Sequence, residues 1–422
     1  MRCAAVSFVL LSLASLASLA SLPACSGDDT AGQTAAAPPS PTGSADGGGG
    51  ATQDAPPDAA PPATCPRVPG PADGPRKVVV SHPFGEGSGK KANAFEVLDL
   101  SADGALARPG VTFEMRTAFE PIAFTPDGKI GLVPQDDGTI GVFTFDASGK
   151  PVVVDPAFSG SFYAHRIVVA KDGARAFVLD EQTANNGGGV HEIAIGCDGK
   201  LSYVGLAVPG GRAHAMALLP GDPDRAVLAG YKAFDSADGT YVHRLDVAGA
   251  KVTRLASGGA FGDEDAIASS IALTNDGKYA LVTDNGFAKG SRMIPVALAT
   301  MTPLAEIATP NPAAVVMSPF GNAALLLNSD GEDALRVVTY DAANAAKPFA
   351  VASEVAYVGG KTSLPTIASV IDRGTLRGRV LVAETTAVRR LAFTQAGAVE
   401  DLGPLSLGEG NGSIVGALGV QP

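Results

Sequence analysis

The sequence predicts an all-β fold, a seven-bladed β-propeller closed by pairing its first and last strands. Three observations predict it. A turn motif recurs roughly every 50 residues, the spacing of a four-stranded blade. A short apolar strand follows each turn and ends on a polar residue. Helix-type periodicity is almost absent.

The chain opens with Met1-Arg2, and residues 4–22 carry no charge before Leu22-Pro23-Ala24-Cys25. A basic start, an apolar run and small residues at a cleavage point mark a secretory signal. The cysteine placed there makes the segment resemble the bacterial lipobox. That resemblance implies that residues 1–24 are removed, that Cys25 becomes the acylated first residue, and that the protein is held in the cell envelope. A membrane anchor is the competing reading, since about 19 apolar residues just span a bilayer. Ser26-Gly27-Asp28-Asp29, however, is acidic where a stop-transfer segment would be basic. Ser26 is not the Asp that retains some lipoproteins at the inner membrane, so the outer membrane is the expected location.

Residues 26–76 contain 11 prolines, no aromatic residue, no Leu and no Ile, with Val68 the sole large aliphatic. Such a segment buries too little apolar area to offset its ordering entropy. A disordered tether is therefore expected over 25–76, with the propeller over 77–422.

The turn motif reads Thr125-Pro126-Asp127-Gly128, Lys171-Asp172-Gly173 and Thr274-Asn275-Asp276-Gly277. Looser copies stand at Pro220-Gly221-Asp222-Pro223, Ser318-Pro319-Phe320-Gly321 and Ile371-Asp372-Arg373-Gly374. Asp-Gly between apolar alternations is the strongest short-range hairpin signal. The strands after the turns read GLVPQ (131–135), AFVLD (176–180), VLAGY (227–231), ALVTD (280–284), ALLLN (324–328) and VLVAE (380–384). A seventh copy, VVVSH (78–82), has no turn before it and so lacks its own inner strand. The C-terminal Ser413-Ile414-Val415-Gly416-Ala417-Leu418 is the candidate to supply it, which leaves no open edge inside the ring. Third strands follow, as in VLDL (97–100), VFTFD (142–146), HRLDV (243–247) and VVTYD (337–341). A β-sandwich is the alternative fold, but it has no reason to repeat at this period.

The stretch Thr274-Asn275-Asp276-Gly277-Lys278-Tyr279-Ala280-Leu281-Val282-Thr283-Asp284-Asn285 resembles the signature of YVTN/lactonase-like seven-bladed propellers. The resemblance spans 77–422 as a repeat pattern. It implies the fold strongly and an activity only weakly, because that family holds sugar lactonases, surface-layer proteins and envelope proteins of other roles. The chain has no tryptophan, so the Trp-Asp motif of WD repeats is missing.

Two sequence columns fall on the rim of a propeller's central channel, on the face where the innermost strands begin and the second strands end. The column at the end of strand two is His82, Gln135, Asp180, Tyr231, Asp284, Asn328 and Glu384. The column leading into strand one is Glu120, His165, His214 (shifted by one), Ser269, Ala313 and Pro365. A polar ring that satisfies itself is the architectural reading. Its drift through His, Asp, Tyr and Glu is what that reading explains poorly. His165 and His214, flanked by Glu120, Asp180 and, as a further candidate, His82, are candidates to ligate a divalent metal or to act as acid and base.

Other chemistry is not signalled. There is no HExxH, no CxxC and no phosphate loop. Residues 77–422 carry 28 basic and 37 acidic side chains, a net −9, which disfavours nucleic acid as a partner. Cys65 and Cys197 are the mature cysteines besides Cys25. An oxidising compartment favours their pairing, and two free thiols are the alternative. The expected partners are the membrane, through the lipid, and a protein or small molecule at the channel face. The leading expectation for function is a binding or scaffolding module. The alternative is a lactonase-like or other small-ester hydrolase, with or without a metal, working at the channel rim.

Overall fold

The computed structural model describes residues 65–84, 94–182, 187–235, 239–249, 251–261, 266–285, 291–329, 334–361, 364–409 and 413–422. The expected signal peptide, Cys25 and the tether up to residue 64 lie outside the described residues.

Those residues form seven antiparallel sheets arranged as blades, with no α-helix among them. Blades 2 to 7 follow chain order, each built from four consecutive strands, with the fourth strand of blade 5 broken into two short pieces. Blade 1 is composite. Its second to fourth strands are Arg76–His82, Ala94–Leu100 and Leu106–Glu114, and its innermost strand is the C-terminal Leu418–Val420. The register pairs Val78 with Val420, Val79 with Gly419 and Val80 with Leu418. The closing strand thus lies later than the expected 413–418. Residues 416–417 reach the sheet through single bonds to Ser81, from Gly416 N to Ser81 O (3.1 Å) and from Ser81 N to Ala417 O (3.0 Å).

All seven apolar runs are second strands, and their continuous hydrophobicity has a simple cause. Each blade is sandwiched between two neighbours, so both faces of its second strand are buried. Val78 and Val80 pack toward blade 7 while Val79 packs toward blade 2. The described core accordingly divides into seven clusters, one between each pair of adjacent blades. The recurrent turn joins strands one and two. Asp127 Oδ1 accepts from Thr125 Oγ1 (2.7 Å) and Lys129 N (3.2 Å), and Gly128 follows at φ +69°, where a β-carbon would be strained.

Strand direction gives the ring two faces. Innermost strands begin at the upper face, and the turns between strands one and two, and between three and four, lie at the lower. The segment 65–75, expected as tether, is laid along that lower face. Arg67 N donates to Asp172 O (2.7 Å), and its guanidinium donates to Gly173 O (2.6 Å) and Gly196 O (2.7 Å). Gly70 N reaches Pro126 O (3.1 Å), and Thr375 N donates to Asp73 Oδ1 (2.7 Å). These bonds order a segment whose composition alone could not.

A disulfide joins Cys65 to Cys197, with Cα atoms 5.2 Å apart across a sequence separation of 132. Long closed loops lose the most unfolded-state entropy, and disulfides of this kind contribute about 2–4 kcal/mol. Cys65→Ser with Cys197→Ser should therefore lower the unfolding free energy by about that amount. Denaturant titration with and without reductant checks this, since the double variant should no longer respond to the reductant.

Candidate active site in the central channel

The strand-two column is buried in all but Tyr231 and turned into the blades. His82 Nε2 lies 3.2 Å from Glu96 Oε2, and Glu96 also takes the Arg108 guanidinium. Asp180 sits 3.7 Å from His191 Nε2, and His191 Nδ1 meets Tyr203 Oη at 3.0 Å. Asp284 accepts from Arg292 Nε (3.2 Å), which also meets Glu306. Glu384 and Asp401 both hold the buried guanidinium of Arg389. Each acid in the column faces a base on strand three, and the one base, His82, faces an acid. The variation is therefore matched pair by pair, which the column viewed alone could not reveal.

The neutral members use hydroxyl partners. Gln135 Oε1 accepts from Thr139 Oγ1 and Asn328 Oδ1 from Thr309 Oγ1, each at 2.7 Å. Tyr231 ends its strand opposite Arg212 and Thr240.

The column leading into strand one behaves differently. In blades 4, 5 and 6 the register slips between Ala213 and Ala215, Ala268 and Ser270, and Pro312 and Ala314. His214, Ser269 and Ala313 are thus extra residues in bulges, devices that re-aim a side chain out of the ladder. In blade 3 His165 holds the matching place, its N–H bonded to Leu179 O at 3.0 Å. In blade 7 the same bond is made by Thr366 N to Ala383 O (3.2 Å), one residue beyond the expected Pro365.

Side chains from blades 2 to 4 and backbone groups of blade 5 converge here. His165 Nε2 lies 3.0 Å from Glu181 Oε1 and 3.6 Å from Glu120 Oε1. Arg166 Nε donates to Glu120 Oε2 (2.9 Å), while its Nη1 donates to the backbone oxygen of Ser269. That last bond runs from blade 3 to blade 5, past blade 4, so it crosses the channel. His165 and Glu181 keep 29% and 22% of their side-chain surface open to solvent. Arg166 and Glu181 were not singled out by the sequence columns, although each adjoins a residue that was.

The two histidines are differently poised. Burial disfavours charge on His165, but Glu181 and Glu120 outweigh it and raise the imidazole above its usual range. Burial would also raise Glu181, yet His165 above all pulls it down to about 2, so it is ionised. With Glu181 holding Nε2–H, the His165 Nδ1 has no hydrogen-bond partner among the described residues. His214 is the opposite case. Burial lowers it to about 4, so it is neutral at pH 7. Its Nδ1 accepts from Ala268 N of blade 5 at 3.2 Å, which places the proton on Nε2.

The structure bears on His165, His214 and Glu120, the candidates for a metal, through the partners that each already holds. Among the described residues no three His, Cys, Asp or Glu side chains converge to hold an ion. The physical reason is that His214 spends its one lone pair on a backbone amide, and Glu120 is shared with Arg166. What remains is a base with its carboxylate, a guanidinium and a neutral N–H donor.

Comparison with known proteins returns no matching protein family and no matching curated protein. Solved structures do match. A 6-phosphogluconolactonase candidate from Bacteroides fragilis is 14% identical, covers 84% of this chain and 99% of its own, and superposes with a TM-score of 0.57. A second such candidate, from Bacteroides uniformis, is 12% identical over 82% of this chain and 100% of its own, with a TM-score of 0.59. The periplasmic gluconolactonase of Pseudomonas aeruginosa is 15% identical over 82% and 99%, with a TM-score of 0.56. The fold is the seven-bladed β-propeller of these structures. At these identities the likeness speaks for architecture, and the chemistry rests on the channel cluster.

Proposed function

We propose that the channel cluster hydrolyses a small lactone or similarly reactive ester, with His165 as general base. The observation that carries this is the His165–Glu181 pair, with Nδ1 unbonded among the described residues and Arg166 and the neutral His214 in its neighbourhood. In this reading Nδ1 takes a proton from water as the water oxygen bonds to the acyl carbon. The carbonyl π pair moves onto oxygen, where Arg166 and His214 supply N–H donors. The ring C–O bond then breaks, and the imidazolium returns its proton to the departing alkoxide. One water is consumed, and the products are a carboxylic acid and a hydroxyl on the same molecule. The names of the matching solved structures support the substrate class.

The test is a panel of sugar lactones and simple esters, phosphorylated and not, followed by acid release at constant pH. Turnover of a lactone by wild type, and its loss in His165→Ala/His214→Ala with the melting curve retained, is the expected result. A panel member that binds without turnover returns the protein to the binding-module reading.

We also propose that the propeller works in the envelope, anchored through Cys25. The Cys65–Cys197 disulfide suits an oxidising compartment and supports export. Cys25→Ala should move the protein from the membrane fraction to the soluble periplasmic fraction. Intact residues 1–24 on the mature wild-type chain, seen by mass spectrometry, would refute the lipobox reading.

A further inference from the structure

Asp180 ends the second strand of blade 3 and is fully buried. Its two carboxylate oxygens divide their work. Oδ2 accepts from Tyr163 N at 3.0 Å, and Oδ1 accepts from Gln182 N at 2.8 Å. Tyr163 stands two residues before His165, and Gln182 stands one residue after Glu181.

We propose that Asp180 is a positioning residue for the His165–Glu181 pair, clamping together the two chain segments that carry its members. The inference rests on the hydrolytic reading of the channel. Beside the clamp, His165 N bonds Leu179 O at 3.0 Å, so the incoming chain is sewn to the strand end at two successive residues. One carboxylate therefore sets the backbone path just before the base and just after its partner. The base can meet its carboxylate at 3.0 Å only while both paths hold.

Among the described residues, few groups face this region. His191 approaches Asp180 at 3.7 Å from strand three, with burial holding that imidazole below its usual range and hence neutral. Glu181, Glu120 and Arg166 face His165 or its carboxylates, and His214 lies near enough to feel Glu181.

Asp284 offers a matched control within the same molecule. It ends the second strand of blade 5, is buried to the same degree, and accepts from Ile267 N at 3.0 Å in the chain leading into its own blade. It serves the fold as Asp180 does, but no His–carboxylate pair hangs from its flanks. If Asp180 only caps a blade, the two residues should behave alike.

The experiment compares full-length Asp180→Asn and Asp284→Asn with wild type through two readouts. The first is the downfield N–H resonance of His165 bonded to Glu181, identified by its loss in His165→Gln. The second is the split between kcat and KM on whichever lactone of the panel is turned over. Asp180→Asn should lose the resonance and drop kcat on the order of 100-fold, the scale of a 1 Å misplacement, with KM changed by less than about 3-fold. Asp284→Asn should keep the resonance, even where its melting temperature falls as far; kcat is compared only between Asp180→Asn and wild type, because the Ile267 that Asp284 holds adjoins Ala268, whose N–H fixes His214. Should Asp180→Asn not fold, Asp180→Glu keeps the charge but displaces it, and should lose the same resonance. The proposal is overturned if the resonance survives in the Asp180 variant, or if both variants lose it equally. A wild type without lactone turnover removes the hydrolytic reading on its own, while the resonance still decides whether Asp180 holds the pair.

Discussion

Removal of residues 416–422 should leave a protein that aggregates or stays partly unfolded instead of a slightly weakened propeller. The segment supplies the whole inner strand of blade 1, and Ala417 and Leu418 are fully buried. Its loss strips the ladder partners of Val78, Val79 and Val80. It also removes the bonds by which Gln421 ties Lys77 N (2.8 Å) to Gly128 O (2.6 Å) of blade 2. Ile122 N loses Leu418 O (3.0 Å), so the inner strand of the next blade is disturbed as well. Bared strand edges are templates for association, and buried unpaired amides are each destabilising by about 1–3 kcal/mol. Size-exclusion chromatography and thermal melting check the outcome. A monodisperse truncation with an unchanged melting curve would show that the ring closes without its last strand.

The second large effect is on catalysis. His165→Gln should lower lactone turnover by about 10²- to 10⁴-fold, the range for loss of a positioned general base. Its pH dependence has a definite sign. The base is the neutral imidazole, and the flanking carboxylates raise its proton affinity above the usual 6.5. Turnover should therefore climb with pH through a midpoint above that value and then level off. Glu181→Gln removes the charge that most opposes deprotonation, so the midpoint should move down. The plateau should fall too, since nothing ionised then holds Nε2–H or the imidazolium. A Glu181→Gln profile with unshifted midpoint and undiminished plateau would remove Glu181 from the reaction.

The blades were legible because each rests on local chemistry that repeats. Asp127-Gly128 and its copies must turn, and runs such as Ala280–Val282 must be buried on both faces. The closing strand was placed a few residues early because Ile414 and Val415 look more strand-like than Leu418–Val420. What distinguishes the observed strand is its ladder with Val78–Val80 and the bond of Leu418 O to Ile122 N of blade 2, relations that no local propensity carries. The strand-two column proved readable as positions and unreadable as chemistry. Its residues answer to partners such as Glu96, His191, Arg292 and Arg389, which lie one strand away and at no constant offset. In the other column, His165, His214 and Glu120 were visible, whereas Arg166 was not. Its importance comes from reaching Ser269 across the ring, a relation that no single-strand pattern carries.

The strap at residues 65–75 gives the molecule a front and a back. Arg67 and the Cys65–Cys197 bond pin it beneath blades 2 and 3, on the face where Asp127, Asp172 and Gly196 make their turns. His165 and Glu181 open at the opposite face. The described chain therefore begins off-centre on the rear rim, and residues 65–75 run on the face opposite His165 and Glu181. A pull applied at Cys65 is taken up first by the disulfide and the Arg67 bonds, before any strand of blade 1 feels it. A mooring line made fast to the hull in this way can be tugged without opening the ring.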